Sequence, residues 1–174
     1  MRYYLNASPP PLLLKRLQAL EARWQGPSAS LPHLTLLSPR ERLPDRSEDE
    51  LITQLLNATH NMSPFMIRLL GIGSFNELEN IHICAERSAE IVACHQQLVD
   101  ATRDLFASAA GTFTRLEHPH MTIADHLPIE RRAAAWRALS EEPVREEFLC
   151  RQINLLCRTE HERTWFPVFS FPLR

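Results

Sequence analysis

Pro32-His33-Leu34-Thr35-Leu36 and Pro119-His120-Met121-Thr122-Ile123 spell one pattern twice: Pro, His, apolar, Thr, apolar. With 8 His and 9 Thr in 174 residues, about 0.4 His-x-Thr matches are expected by chance. One match therefore carries nothing, and either pentapeptide alone reads as an ordinary strand with a satisfied His. Two that share the preceding Pro and both apolar partners are a different matter. Alternate residues of a strand share a face. His33 and Thr35 thus project together, about 6–7 Å apart along the chain, while Leu34 and Leu36 point into the core. His120 and Thr122 stand in the same relation to Met121 and Ile123. A preceding Pro, lacking a donor, suits a strand start.

Set across a groove, the two strands bring two imidazoles and two hydroxyls to one small volume. A phosphate fits that set. Thr hydroxyls donate to nonbridging oxygens. A neutral His takes a proton from an attacking water or hydroxyl, and a protonated one returns a proton to the leaving oxygen. An ordinary His pKa near 6.5 keeps both forms available around neutrality. The two His supply acid and base themselves, so the expectation is no metal and no cofactor. The motifs are too alike to tell acid from base.

Outward from the motifs, Arg2 to Ala7 reads as a strand and Ser8-Pro9-Pro10-Pro11 as a helix entry. Leu13, Leu17, Leu20 and Trp24 lie at helical spacing, with Gly26-Pro27-Ser28 as the stop. Leu31 to Leu37 is the first motif strand, followed by a polar, Pro-containing loop through Asp49. Ser47 to His60 reads as a helix. Phe65 to Leu70 is a strand interrupted at Gly71-Ile72-Gly73-Ser74-Phe75 by a bulge or turn. Ile81 to Ala85 is a strand, and Ser88 to Ala107 a long helix with Ser88 as N-cap. Phe113 to Leu116 pairs as a strand, His120 to His126 is the second motif strand, and Ile129 to Leu139 is a helix. Val144 to Cys157 and Trp165 to Leu173 form a hairpin around residues 158–163, with Pro167 and Pro172 at an edge. Short loops and hairpins point to α+β with mostly antiparallel sheets. The order strand, helix, motif strand occurs twice.

Composition narrows the partner. The net charge is -2 and the pI near 6.4, whereas a protein that coats long nucleic acid carries a strongly basic face. Contact with RNA would then be with an end or a small fragment in a local pocket. Lys15 is the sole lysine; the arginines suit phosphate, but a base-composition bias explains them as well. Cys84, Cys94, Cys150 and Cys157 show neither disulfide nor metal spacing and read as reduced core residues of a cytoplasmic protein. Leu12-Leu13-Leu14 is too short for a signal peptide, and no apolar run reaches the roughly 20 residues a membrane span needs.

At the two motifs the chain resembles the two-histidine phosphoesterase superfamily, in its bacterial 2′-5′ RNA ligase-like branch. Leu70-Gly71-Ile72-Gly73-Ser74-Phe75 is similar to the Gly-x-Gly-x-Phe segment between that family's motifs. Glu117 to His126 is similar to its second motif strand, and the closing hairpin with Trp165 also fits. The resemblance implies a bilobal α+β fold with pseudo-two-fold symmetry, antiparallel sheets lining a central groove and helices outside. Residues 1–174 would form one domain of two lobes, each with one motif. It implies His33 and His120 as acid and base and Thr35 and Thr122 as phosphate ligands. The reaction implied is hydrolysis of 2′,3′-cyclic phosphates, on an RNA end or a small cyclic nucleotide, to 2′-phosphates. Some members run it in reverse as a 2′-5′ ligase, and others act on ADP-ribose cyclic phosphate. Many members carry Arg soon after the second motif. Here the stretch is Ala124-Asp125-His126, and Asp at that place repels a polyanion.

A binding module without turnover is the alternative on the same fold. A metal set of His118, His120 and His126 is a further one, weakened by Pro119 between the first two. Tyr3, Tyr4 and Phe75 are candidates to reach a base, with core packing as the default. Arg40, Arg42, Arg46 and Arg115 are candidates for phosphate, with a solvated loop as the default, and Arg131 and Arg132 belong to a helix surface. Both motifs lie in one chain, so a monomer without an obligate protein partner is expected.

Overall fold

The first strand, β1 (Arg2–Ala7), has buried residues on both faces, as befits the centre of a sheet with a packed side and a lined side. In the computed structural model, which describes residues 1–24, 31–107, 116–162 and 164–174, it leads into α1 (Pro11–Trp24), β2 (Leu34–Glu41), α2 (Glu48–Thr59), β3 (Phe65–Phe75) and β4 (Asn80–Ala85). Then follow α3 (Ala89–Thr102), β5 (His120–Ala124), α4 (Ile129–Ser140), β6 (Glu147–Cys150), β7 (Gln152–Arg158) and β8 (Phe166–Pro172). Gly26-Pro27-Ser28, Arg115, Arg163 and all but the last residue of the Phe113–Leu116 strand lie outside the described residues.

The strands form two four-stranded antiparallel sheets, ordered β2-β1-β7-β8 and β5-β4-β3-β6. Each begins with a motif strand at its edge, and β1-α1-β2 in one corresponds to β4-α3-β5 in the other. This is the bilobal, pseudo-symmetric α+β architecture that the resemblance implies. Helices tie the halves together: α1 packs on β5, and α3 packs both on β3 of its own half and on β2. His95 on α3 seals that contact by donating from Nδ1 to the Leu36 carbonyl, 2.7 Å away. Leu34, Leu36, Met121 and Ile123 are wholly buried, so each motif strand is anchored by its apolar set.

Several boundaries differ from the sequence reading. β2 starts after His33 and continues through Pro39 to Glu41, where a loop was expected. An edge strand tolerates proline, and a bulge in the β1 pairing, with Asn6 opposite Thr35 but Leu5 opposite Leu37, puts both Leu36 and Leu37 in the core. β3 runs unbroken to Phe75 because Gly71, at φ 127°, absorbs a bulge against β4. α3 stops at Thr102, and Leu105 and Phe106 then drop into the core. Ser47 and Ser88 cap α2 and α3 through their hydroxyls, matching the expected N-termini. β7 and β8 make the expected closing hairpin. The apolar stretch before it is two strands, however: β6 pairs with β3 in one sheet, and β7 with β1 in the other. No helix among the described residues is long and apolar enough to cross a membrane.

Candidate active site

The two motifs adopt matching conformations. Pro32, Leu34 and Leu36 are buried while His33 and Thr35 are half-buried, and Pro119, Met121, Ile123, His120 and Thr122 repeat this alternation. Each imidazole is clamped by its own backbone. His33 Nδ1 lies 2.7 Å from the Leu31 carbonyl, and His120 Nδ1 lies 2.7 Å from the His118 carbonyl. A carbonyl only accepts, so Nδ1 carries the hydrogen in both rings. Nε2 is then the atom that can gain or lose a proton.

β2 and β5 approach each other between the sheets. The rings are near enough that a charge on His120 lowers the proton affinity of His33, on top of the larger effect of burial, with the Leu31 carbonyl opposing both. Two imidazoles coupled in this way take up one proton more readily than two.

Thr35 and His120 line one cavity of about 360 Å³, together with Leu36, Ser38, Phe75 and Leu116. His33 lines a second, of about 370 Å³, with Tyr4, Asn6, Asn154, Trp165 and Ser170. Thr122 lines neither; it stands opposite His82 in the β4–β5 ladder. Three of the expected four thus line two clefts, Thr35 and His120 one and His33 the other.

The walls differ. Beside His33, the Tyr4 ring lies 5.1 Å away and meets Trp165 edge-on at 4.5 Å, with Arg158 over the indole at 4.6 Å. Asn154 forms the floor. Its Nδ2 donates to Asn6 Oδ1 and Ser8 Oγ, both at 3.1 Å, and its Oδ1 accepts from Gln152 at 3.1 Å and Ser170 at 2.9 Å. Beside His120, Phe75 approaches edge-on at 5.1 Å and His82 at 4.8 Å, and Phe75 stacks on His82 at 4.1 Å. Burial first, then repulsion from His120 and His118, pushes His82 down to about 4. Gly73 makes this fit possible: a Cβ there would lie 2.6 Å from Cys84 Sγ and 2.8 Å from His82 Nε2.

Tyr4 and Phe75 therefore reach the site, and Tyr3 does not. Tyr3 sits in the core and donates to Glu48 at 2.8 Å, with burial first and then that bond pushing its hydroxyl up to about 12. Arg40 is in β2 opposite Tyr3, on the core side rather than beside Thr35. Arg42 donates to the Leu43 carbonyl at 3.4 Å and Arg46 pairs with Glu50 at 2.9 Å. Arg132 is tied to the Leu127 carbonyl and Glu79, and Arg131 lies over Trp24. His118 is exposed at the cavity rim. His126 turns away at φ 53° toward Glu79 and Asp125. Among the described residues no group of three His, Cys, Asp or Glu is placed to hold a metal. All four cysteines are free, and burial raises the Cys94 thiol to about 12 and that of Cys150 to about 11. The residues the sequence reading missed are His82, Asn6 and Asn154. Their only signal is alternation with apolar neighbours on strands whose partners are remote in sequence.

Residues 9–162 match the family model of the 2′-5′ RNA ligase superfamily, and the chain belongs to that superfamily. Membership supports an enzyme that acts on phosphodiester bonds. Solved structures agree in fold. TT0787 of Thermus thermophilus is 18% identical with a TM-score of 0.71, over 100% of this chain and 98% of that one. LigT of E. coli complexed with 3′-AMP is 17% identical with a TM-score of 0.63, over 99% and 97%. Usb1 of Kluyveromyces marxianus is 10% identical with a TM-score of 0.52, over 99% and 98%. LigT has also been solved with NADP+ and with ATP. A comparison with curated protein sequences gives no match.

Proposed function

We propose that this chain is a metal-independent 2′,3′-cyclic phosphodiesterase that opens cyclic phosphates on RNA ends or nucleotides to 2′-phosphates. The observation that carries the reading is the paired clamp: both imidazoles donate from Nδ1 to the carbonyl two residues back, leaving two Nε2 atoms for proton transfer. Thr35 and Thr122 donate hydroxyl hydrogens to the nonbridging oxygens of the cyclic phosphate. The neutral imidazole takes a proton from water as its oxygen attacks phosphorus. The bond from phosphorus to O3′ breaks, and the protonated imidazole delivers its proton to O3′. A 2′-phosphate leaves, and the pair has exchanged its proton. Burial and the charge of His120 favour the neutral form of His33, which makes His33 the base and His120 the acid at the start of the cycle.

Binding of 3′-AMP, NADP+ and ATP by LigT, a protein of the same fold, supports a nucleotide-sized substrate, as does the net charge of -2. The enzyme is proposed to act as a cytoplasmic monomer, with residues 1–174 as one domain whose lobes each give one motif. Run in reverse, the same chemistry is 2′-5′ ligation.

The test is hydrolysis of a panel of 2′,3′-cyclic nucleotides and short RNAs with cyclic phosphate ends, with EDTA present, by wild type and His120→Ala. Release of 2′-phosphates that the substitution abolishes is the expected result. Ligand binding without turnover on any member would replace the proposal with the binding-module reading.

A further inference from the structure

Behind His120 runs a chain of polar contacts that the proton-transfer scheme does not use. Asp125 Oδ1 accepts from Asn80 Nδ2 at 3.1 Å. Asn80 Oδ1 lies 3.1 Å from His82 Nδ1 and, being an acceptor, takes the hydrogen of that ring. The His82 ring is in turn wedged between Phe75, 4.1 Å away, and His120, 4.8 Å away. It is 3% exposed, and the absent Cβ of Gly73 is what admits it. Asp125 is fixed independently by accepting from the His126 backbone N–H at 3.0 Å. The ionisable groups facing His82 are His120 from β5, His118 from the segment just before it, and Cys84 from its own strand. With those neighbours and its burial it stays uncharged at neutral pH, so His120 can hold a proton without a second cation against it.

An imidazole free in water prefers the tautomer with hydrogen on Nε2. His120 is needed in the other one, with Nδ1–H on the His118 carbonyl and Nε2 toward the groove. Its backbone acceptor is on an exposed residue, and one hydrogen bond at a wet edge, worth about 1 kcal/mol net, leaves the ring free to rotate part of the time. A tethered wall removes that freedom. We propose that Asp125, Asn80 and His82 form a positioning relay that holds the His120 ring in its Nδ1–H tautomer. The carboxylate that follows the second motif then serves the acid–base residue from behind and does not meet the phosphate. Against His33 the wall is Tyr4, which meets Trp165 edge-on and accepts from Asn6 Nδ2 at 3.2 Å.

The relay rests on the proposed chemistry for its purpose but not for its test. The ring nitrogens of 15N-histidine-labelled protein report tautomers directly, with or without substrate. At pH 8, wild-type His120 is expected as the Nδ1–H form. In His82→Ala and in Asn80→Ala its two nitrogen shifts should move toward a mixture rich in the Nε2–H form, while those of His33 stay. His82→Asn, which keeps a donor for Asn80 Oδ1, should recover much of the wild-type pattern. Turnover should fall about tenfold to a hundredfold in the two alanine variants, in kcat and not in KM, as misplacement of a reacting group does. Asn80→Ala lies at the strand end and keeps the test alive should His82→Ala fail to fold. A His120 that is Nε2–H in the wild type, or unmoved in folded His82→Ala and Asn80→Ala, overturns the relay. If no substrate is turned over but the shifts respond as expected, the relay stands and the reaction assigned above falls.

Discussion

The two halves of the groove share a backbone and differ in furniture. In both, Pro-His-apolar-Thr-apolar puts the apolar residues into the core and clamps an imidazole through Nδ1. Around His33 the wall is amide and hydroxyl, with Asn6, Ser8, Asn154 and Ser170 joined into one network and Tyr4 on Trp165 above it. Around His120 it is ring on ring, Phe75 on His82 over a bare Gly73. A duplicated strand motif sets where an imidazole points. What its neighbours do to proton affinity and to substrate contact is free to diverge, because those neighbours sit on strands outside the motif.

The largest expected break in the comparison is loss of either imidazole. His33→Ala and His120→Ala should each lower turnover by about 10²–10⁴-fold, read from initial rates on a cyclic nucleotide. The double variant should be little worse than either single, because the two act as one unit. A double variant that multiplies the single losses would mean two independent roles. Next come the hydroxyls. Thr35→Val and Thr122→Val keep shape and remove a hydrogen bond to a charged phosphate, worth roughly ten- to hundredfold in kcat/KM. Unequal losses would show which half grips the phosphate harder.

Stability sharpens the contrast on a smaller scale. Gly73→Ala should crowd His82 and Cys84 and cost about 1–3 kcal/mol. Asn154→Ala should orphan partners in the other half at a similar cost of about 1–3 kcal/mol. Urea midpoints measure both. A neutral Gly73→Ala would mean that His82 moves aside freely. The smallest effect is a pH dependence. His82 has a folded pKa near 4 against 6.5 unfolded, so above 6.5 it costs nothing. As pH falls from 6.5 toward 4 the unfolded chain binds a proton that the native state refuses, and stability declines. Screening at the groove edge limits this to about 1–2 kcal/mol. His82→Asn should lose less stability between pH 7 and 4.5 than the wild type, and equal slopes would place His82 in a wetter setting than its burial implies.

Local pattern made much of this legible. The helix starts at Ser47 and Ser88 follow from side-chain caps, which involve only residues three apart. The inward and outward faces of both motifs follow from the two-residue period of a strand. The repeated pentapeptide led to the pair of strands because both copies are written in full. What stayed hidden is long-range. Val144 to Cys157 reads as one apolar strand, and nothing local marks Arg151 as the place where the chain leaves one sheet for the other. Pro39 looks like a loop residue until β1 is seen to pair on one side of β2 only.

By itself, then, the sequence determined the α+β class, the duplicated motif and the shared face of His33 with Thr35 and of His120 with Thr122, since each of these follows from local periodicity. Only the tertiary structure decided that α1 packs on the other half and α3 bridges the two, that Tyr4 and Phe75 face the site while Tyr3 does not, and that Asp125 is tied to Asn80 and through it to His82. Strand pairing and register join residues tens of positions apart, and the energy that selects among such pairings belongs to the whole core rather than to any segment of it.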